Sequence, residues 1–402
     1  VTAHIKVLKF GGTSVADAEA FERAAQIVRA SRSAPVVAVV SALSGVTDAL
    51  IKSFHTAISE GSQRAFQILD EHFERHLKIA QTLDTEAAQK HHTLIDNSRR
   101  EILALLEAGV ADLRTQDAIA SYGELLCANL FTMILERQDV PASYVDARRC
   151  IFTDDEHGNA NPLFPQIASR TSAELTPFLA ANRVPVLGGF IGATGGGVTT
   201  TLGRGSSDYS ATLIGAALRA SEIQIWTDVD GVQTADPSVV TTTRTVPRIS
   251  YQEAAQLAVL GARVMHAKMI EPVIADSIPI WIRNSRAPEH SGTLICAGSE
   301  RPAGVVKAIA HRVNNEDAIV ACVGDGLSNG TQGAAEVRRV LREIDPSLTW
   351  RSSAGSNLVT TVDRDQVSTI VRRMHERLFE QDHFRAAASA MRSTSFEGDE
   401  RP

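Results

Sequence analysis

Short apolar runs recur along this chain, and each gives way to small or hydroxyl-bearing residues before helical periodicity begins. Ile5-Lys6-Val7-Leu8-Lys9-Phe10 leads into Gly11-Gly12-Thr13-Ser14 and then into helix-like spacing over 16–30. Pro35-Val36-Val37-Ala38-Val39-Val40 leads into Ser41-Ala42-Leu43-Ser44-Gly45-Val46-Thr47, and Val184-Pro185-Val186-Leu187 into a long glycine-rich stretch. Ile223-Gln224-Ile225-Trp226 and Ile278-Pro279-Ile280-Trp281-Ile282 repeat the pattern. Short, mostly apolar runs alternating with helices predict buried strands of a mainly parallel sheet in an α/β fold.

Residues 62–111 read as a polar helical insertion, with His72, His76, His91 and His92 expected on solvated faces. Residues 118–135 read as an apolar helix holding Gly123-Glu124, where Glu124 is either a surface charge or a carboxylate facing a ligand. Beyond a polar, proline-containing passage near 299–304, the pattern changes. A strand at 318–323, a helix at 333–344, strands at 348–352 and 357–362 and a helix at 366–379 make most of a ferredoxin-like α+β unit. Residues 1–300 are therefore expected to form one domain and 301–385 another, with 386–402 a flexible tail.

Composition narrows the class. The chain has 402 residues, 44% of them hydrophobic, which suffices for more than one core. A net charge of −7 without a basic block argues against a nucleic-acid partner. No signal peptide or membrane span is expected, and Cys127, Cys150, Cys296 and Cys322 lack metal-ligand spacing. A soluble cytoplasmic protein is the expectation.

The candidate chemistry sits where strands become helices. In residues 188–208 the glycines allow close backbone approach, and the following helix directs N–H groups at an anion. Thr199, Thr200, Thr201, Ser206 and Ser207 are read as further donors, Arg204 as a two-pronged partner for a carboxylate and Asp208 as a partner for an ammonium. Lys9, just before Gly11 and Gly12, is placed to bridge phosphate oxygens, although the chain has no GxxxxGK[ST] loop. Read alone, Ser41 and Thr47 are turn and cap residues. The acidic loop Thr227-Asp228-Val229-Asp230-Gly231 should share the carboxyl edge of the sheet, and it lacks EF-hand spacing.

These motifs occur in a familiar order. Lys9-Phe10-Gly11-Gly12-Thr13-Ser14-Val15, Gly123-Glu124, Thr200 to Tyr209, Trp226 to Gly231 and Gly261-Ala262-Arg263-Val264-Met265-His266 make the chain resemble the aspartokinases from residue 5 to about 296. The resemblance implies the three-layer sandwich of the amino-acid kinases followed by ACT regulatory modules that drive homodimerisation. It implies transfer of the γ-phosphoryl group of ATP, carried as MgATP, to the β-carboxylate of L-aspartate. Lys9 would then neutralise the transferring group, and Arg204 would hold the α-carboxylate. Glu124 and Asp208 would lie near the amine, with Ser41 and Thr47 completing the pocket. Gly11, Gly12, Thr13, Ser14, Thr227, Asp228, Gln233, Ser238 and Arg263 would face the nucleotide.

Some positions depart from the family pattern. Gln233 stands where tyrosine is usual, Ser238 where arginine is, Arg263 where lysine is and Ser206 where glycine is. Aspartokinases commonly carry two ACT units, one inserted in the other, whereas here 306–310 leads almost directly into 319–324. One unit, weak lysine or threonine feedback and a role in a side pathway such as ectoine synthesis are the corresponding expectations. A catalytically silent aspartate-binding subunit, or a relative with another acceptor, is the alternative.

Overall fold

A computed structural model describes residues 4–261, 265, 267–298, 304–327, 331–353 and 357–380. Arg263, the expected boundary at 300–301 and the expected tail at 386–402 lie outside the described residues. The chain divides into two compact units, Val1–Asp230 with Lys268–Ser291, and Gly231–Ala267 with Gly292–Pro402. That division falls inside the stretch read from sequence as a single domain.

In chain order the elements are β1 (Lys6–Phe10), α1 (Ala18–Ser31), β2 (Val36–Val40), α2 (Val46–Glu60), α3 (Ser62–Gln67), α4 (Asp70–Ala80) and α5 (Thr85–Glu107). Next come α6 (Leu113–Arg137), β3 (Ala142–Tyr144), α7 (Phe164–Ala180), β4 (Val184–Gly188), β5 (Ile191–Ala193), β6 (Thr199–Thr201), α8 (Ser207–Ala217) and β7 (Glu222–Thr227). The second unit contributes β8 (Arg248–Ser250) and α9 (Tyr251–Val259), after which α10 (Glu271–Ile274) and β9 (Ile280–Asn284) return to the first. The rest of the second unit is β10 (Thr293–Cys296), β11 (Ala308–Val313), β12 (Asp317–Val323), α11 (Gln332–Ile344), β13 (Arg351–Ser353), β14 (Asn357–Asp363) and α12 (Val367–His375).

Within the first unit the strands lie side by side in the order β3-β4-β2-β1-β7-β9, and every pairing is parallel. Strand alternation sorts β1 onto two faces. Leu8 and Phe10 join a core built with α1, α2 and α6, where the Phe131 ring lies 5.5 Å from that of Phe10. Lys9, between them, belongs to the other face. Asp17 and Asp112 start α1 and α6 by accepting the Ala20 and Thr115 backbone N–H groups at 2.8 and 2.7 Å. With its 25 residues, α6 is long and apolar enough to cross a membrane by length and composition, and 67% of its most apolar window is buried inside the fold. That burial marks a core helix, whose side chains pack on β2, β3 and β4.

The insertion is helical as expected, but its histidines are not all on solvated faces. His76 and His91 are buried, at 1% and 0% exposure, with ring centroids 5.7 Å apart, and neither ring has a hydrogen-bond partner. Packing of α4 on α5 and α6 gives these polar helices an inner face, and both rings are buried there.

In the second unit, β8 and β10 pair in parallel, and a four-stranded antiparallel sheet runs β11-β12-β14-β13. The order β12-α11-β13-β14-α12 is the ferredoxin-like run read from sequence. The strand that completes the sheet, β11, comes from the N-terminal side and reaches β12 through residues 314–316, where the Asn314 N–H donates to the Asp317 carbonyl at 2.8 Å. A buried ion pair braces this unit. Lys307 Nζ lies 2.5 Å from Glu253, which also caps α9 through Ser250 and accepts the Asp325 N–H at 2.6 Å.

Candidate active site

The parallel ladder of the first unit continues beyond its strands and holds three of their exits side by side. The Gly11 N–H donates to Trp226 O, the Ser41 N–H to Phe10 O and the Gly189 N–H to Val40 O, at 3.0, 3.0 and 2.8 Å. Residues 11, 41 and 189 thus leave the sheet at one edge, where parallel α/β folds keep their ligands. Close approach explains the glycines here. A Cβ at Gly12 would lie 2.9 Å from the Ala42 carbonyl, one at Gly188 2.9 Å from Glu124 Cβ, and one at Gly189 2.6 Å from Ser207 Cβ.

Charge collects at this edge. Lys9 Nζ lies 2.6 Å from Asp208 Oδ1 at the start of α8, and each residue is only 8% exposed. Glu124 is 3% exposed, on α6 against the end of β4, and its Oε2 is buried without a hydrogen-bond partner. Burial pushes its carboxyl up to about 8, against the opposing pull of the Ala42 backbone, Lys9 and the Thr47 hydroxyl. Glu124, left open by sequence, is therefore an inward-facing carboxylate rather than a surface charge. Arg204 is exposed and paired with Asp48 in the first turn of α2, one residue after Thr47. Lys9, Glu124, Thr47, Asp208 and Arg204 are linked neighbour to neighbour in this way.

Two helices point uncapped N-termini at the cluster. Gly45, at φ +84°, precedes α2, and Ser206 precedes α8; neither supplies a side-chain cap. Val46 N–H already donates to the Leu43 carbonyl at 3.0 Å, so what these helices offer an anion is the remaining N–H groups of their first turns. Ser206 is fully buried with its hydroxyl unpartnered, and Ser207 is nearly so.

The threonine hydroxyls differ from their reading as free ligand donors. Thr199 Oγ1 accepts from Arg148 at 3.2 Å, Thr200 pairs with Thr153 at 2.7 Å, and Thr201 donates to Asp117 at 2.5 Å. They lie on the short antiparallel ribbon of β5 and β6, so their pairing fixes the loop rather than leaving donors to a ligand. Asp117 gave no signal in the sequence, because its partners lie 40 to 84 residues further along the chain.

The residues read as nucleotide-facing are placed as follows. Gly11, Gly12 and Thr13 form the half-buried turn after β1. Ser14 is buried, and its hydroxyl is taken by Trp226 O at 3.2 Å and Ser285 Oγ at 2.7 Å, which ties that turn to the ends of β7 and β9. Thr227 donates to its exposed neighbour Asp228 at 3.2 Å. Asp230 is held below the usual carboxylate range, chiefly by the Asn284 amide. In the second unit, Gln233 donates to Thr245 Oγ1 at 3.0 Å, and Ser238 closes a turn on Asp236 at 2.7 Å.

A parallel α/β sheet with glycine turns, helix N-termini and a lysine at one edge suits an anionic ligand, and the amino acid kinase family model matches residues 4–284. Lysine-sensitive aspartokinase 3 of Escherichia coli is 38% identical over 78% of this chain and 68% of its own length. A chloroplastic bifunctional aspartokinase/homoserine dehydrogenase 2 of Zea mays is 30% identical over 97% of this chain, which spans only 43% of that protein. The crystal structure of E. coli aspartokinase III in complex with aspartate and ADP superposes with a TM-score of 0.84 at 29% identity, over 93% of this chain and all of that one. This chain belongs to the amino acid kinase family, and within it to the aspartokinases.

Proposed function

We propose that this aspartokinase transfers the γ-phosphoryl group of ATP to the β-carboxylate of L-aspartate at the edge formed by β1, α6 and α8. The observation that carries the reading is the Lys9–Asp208 pair, 2.6 Å apart, beside the Glu124 carboxyl, whose Oε2 has no hydrogen-bond partner. A free amino diacid matches that set of charges. Its ammonium replaces Lys9 as the partner of Asp208 and ionises Glu124, which releases Lys9 to the transferring phosphoryl group. Arg204 exchanges Asp48 for the α-carboxylate. An aspartate side chain ionises near pH 4, so the nucleophile needs no general base. Charge neutralisation and alignment then supply the catalysis.

Ser41 and Thr47 complete the acceptor pocket, and Gly11, Gly12, Thr13, Ser14, Thr227 and Asp228 serve the nucleotide. Gln233, Ser238 and Arg263 keep their nucleotide assignment by resemblance, and a lower KM for ATP in a Gln233→Tyr variant would support it. Mg²⁺ would ride in on the triphosphate, keeping several of its waters.

A hydroxamate assay tests the acceptor. L-Aspartate should give acyl phosphate, while glutamate and N-acetylglutamate should give little, because an acylated amine leaves Asp208 without a partner. Equal rates with all three would overturn the reading. The tight 314–316 connection leaves no room for an inserted module between β11 and β12, which supports a pathway-dedicated form with weak feedback, as in ectoine synthesis. Millimolar lysine or threonine should change turnover less than twofold or so, and strong inhibition would refute this. Homodimerisation through the antiparallel sheet of the second unit is part of the same proposal, and light scattering tests it.

A further inference from the structure

Asp117 lies on α6 two turns before Glu124 and is 1% exposed. Its Oδ1 accepts the Thr201 hydroxyl at 2.5 Å; its Oδ2 accepts the Gly158 N–H at 3.0 Å and meets His157 Nδ1 at 2.9 Å. One buried carboxylate therefore fastens two separate segments. Thr201 ends β6, three residues before Arg204. The other segment reaches the same place from outside. Ala160 N–H donates to Thr201 O at 2.9 Å, and a Cβ at Gly203 (φ +92°) would lie 2.6 Å from Asn159 Oδ1. Gly203, immediately before Arg204, is thus wedged between a strand end and a turn that both hang from Asp117.

We propose that Asp117 is a positioning residue for acceptor specificity: it sets where Arg204 presents its guanidinium, and so how tightly the α-carboxylate is held, without touching substrate. The inference rests on the aspartate-kinase reading above. A buried carboxylate accepting several donors holds a backbone more firmly than neutral hydrogen bonds do. Because α6 also carries Glu124, the same helix positions the groups proposed to face the two ends of the substrate's amino-acid moiety. Loosening this anchor leaves Lys9 and the glycine turn after β1 in place, so the effect falls on one substrate only.

Steady-state kinetics of Asp117→Asn and Thr201→Val test the proposal. In Asp117→Asn the KM for L-aspartate should rise about tenfold or more, the scale of a lost charge-assisted hydrogen bond, while the KM for ATP and kcat stay within about threefold. Thr201→Val should show the same split to a smaller degree, and it decides the matter should Asp117→Asn fail to fold. The double variant should be no worse than Asp117→Asn alone, because both changes cut one link. An unchanged KM for aspartate would overturn the proposal, as would a rise of both KM values together with a fall of kcat and of the thermal midpoint. A wild-type chain that does not turn over aspartate would instead refute the functional reading.

Discussion

Replacing Lys9 by alanine separates two uses of one charge. In the structure Lys9 neutralises Asp208 at 2.6 Å, with both groups almost out of solvent. Removing one member of a buried ion pair strands the other, at a cost of about 3–5 kcal/mol. With 10% and 12% of the two side chains still exposed, the lower end, about 3 kcal/mol, applies here. In turnover the same ammonium is assigned to the phosphoryl group, and losing it should slow the reaction by roughly 10³-fold or more. The double variant Lys9→Ala/Asp208→Asn removes the stranded charge, so it should recover most of the stability and none of the activity. Urea unfolding followed by far-UV dichroism reads the first quantity, and a coupled ADP-release assay at saturating substrates reads the second. A single variant retaining more than a tenth of wild-type turnover would refute the catalytic role. Recovery of activity along with stability in the double variant would show that Lys9 merely props up α8.

Two further predictions concern protons. Glu124 is raised from 4.5 to about 8, so near pH 7 roughly nine-tenths of the carboxyl is protonated in the ligand-free fold. Binding an ammonium beside it should release close to one proton, seen as a calorimetric enthalpy that varies with the ionisation enthalpy of the buffer; no variation would contradict the assignment. For a raised acid, the stability contribution is complete below 4.5 and is lost as pH climbs through about 8, and Glu124→Gln should flatten that loss. His76 and His91 have the opposite sign. Burial, the largest cause, lowers His91 from 6.5 to about 4 and His76 well below 6.5, so stability is present above 6.5 and is lost as pH falls towards 4. For His91 the loss is about 3 kcal/mol, and His91→Leu should abolish it in urea titrations at pH 7 and pH 4.5. An unchanged pH profile in that variant would contradict the account.

Sequence pattern revealed the parallel strands, because each is a short, mostly apolar run that gives way to small, hydroxyl or turn-forming residues. It also singled out Arg204 and Asp208, charges bracketed by small residues at a strand–helix junction, and Lys9, which stands two residues before paired glycines. The inner face of the insertion stayed hidden. Helical spacing puts His72 and His76 on one side of α4, but which sides of α4 and α5 are covered depends on how α4, α5 and α6 pack. Asp117 was illegible for a related reason, as a lone aspartate near the start of a long helix looks like a cap or a surface charge until its partners arrive. The apolar stretch 306–310 leads almost directly into 319–324, but its antiparallel pairing with β12 as the fourth strand of the sheet came only from the structure. Glu124 stood between these cases. Its apolar neighbours announced burial, while its direction came only from the packing of Gly188 against it.

The central claim is that groups from β1, α2, α6 and α8 form one acceptor site for a free amino diacid. Aspartate-dependent ADP release, measured side by side for the wild-type chain and Arg204→Ala, tests it most directly. The account predicts saturable release by the wild type, and a KM for L-aspartate raised by roughly a hundredfold in the variant with the KM for ATP little changed. ADP release that ignores aspartate, or an Arg204→Ala chain indistinguishable from wild type, would contradict it.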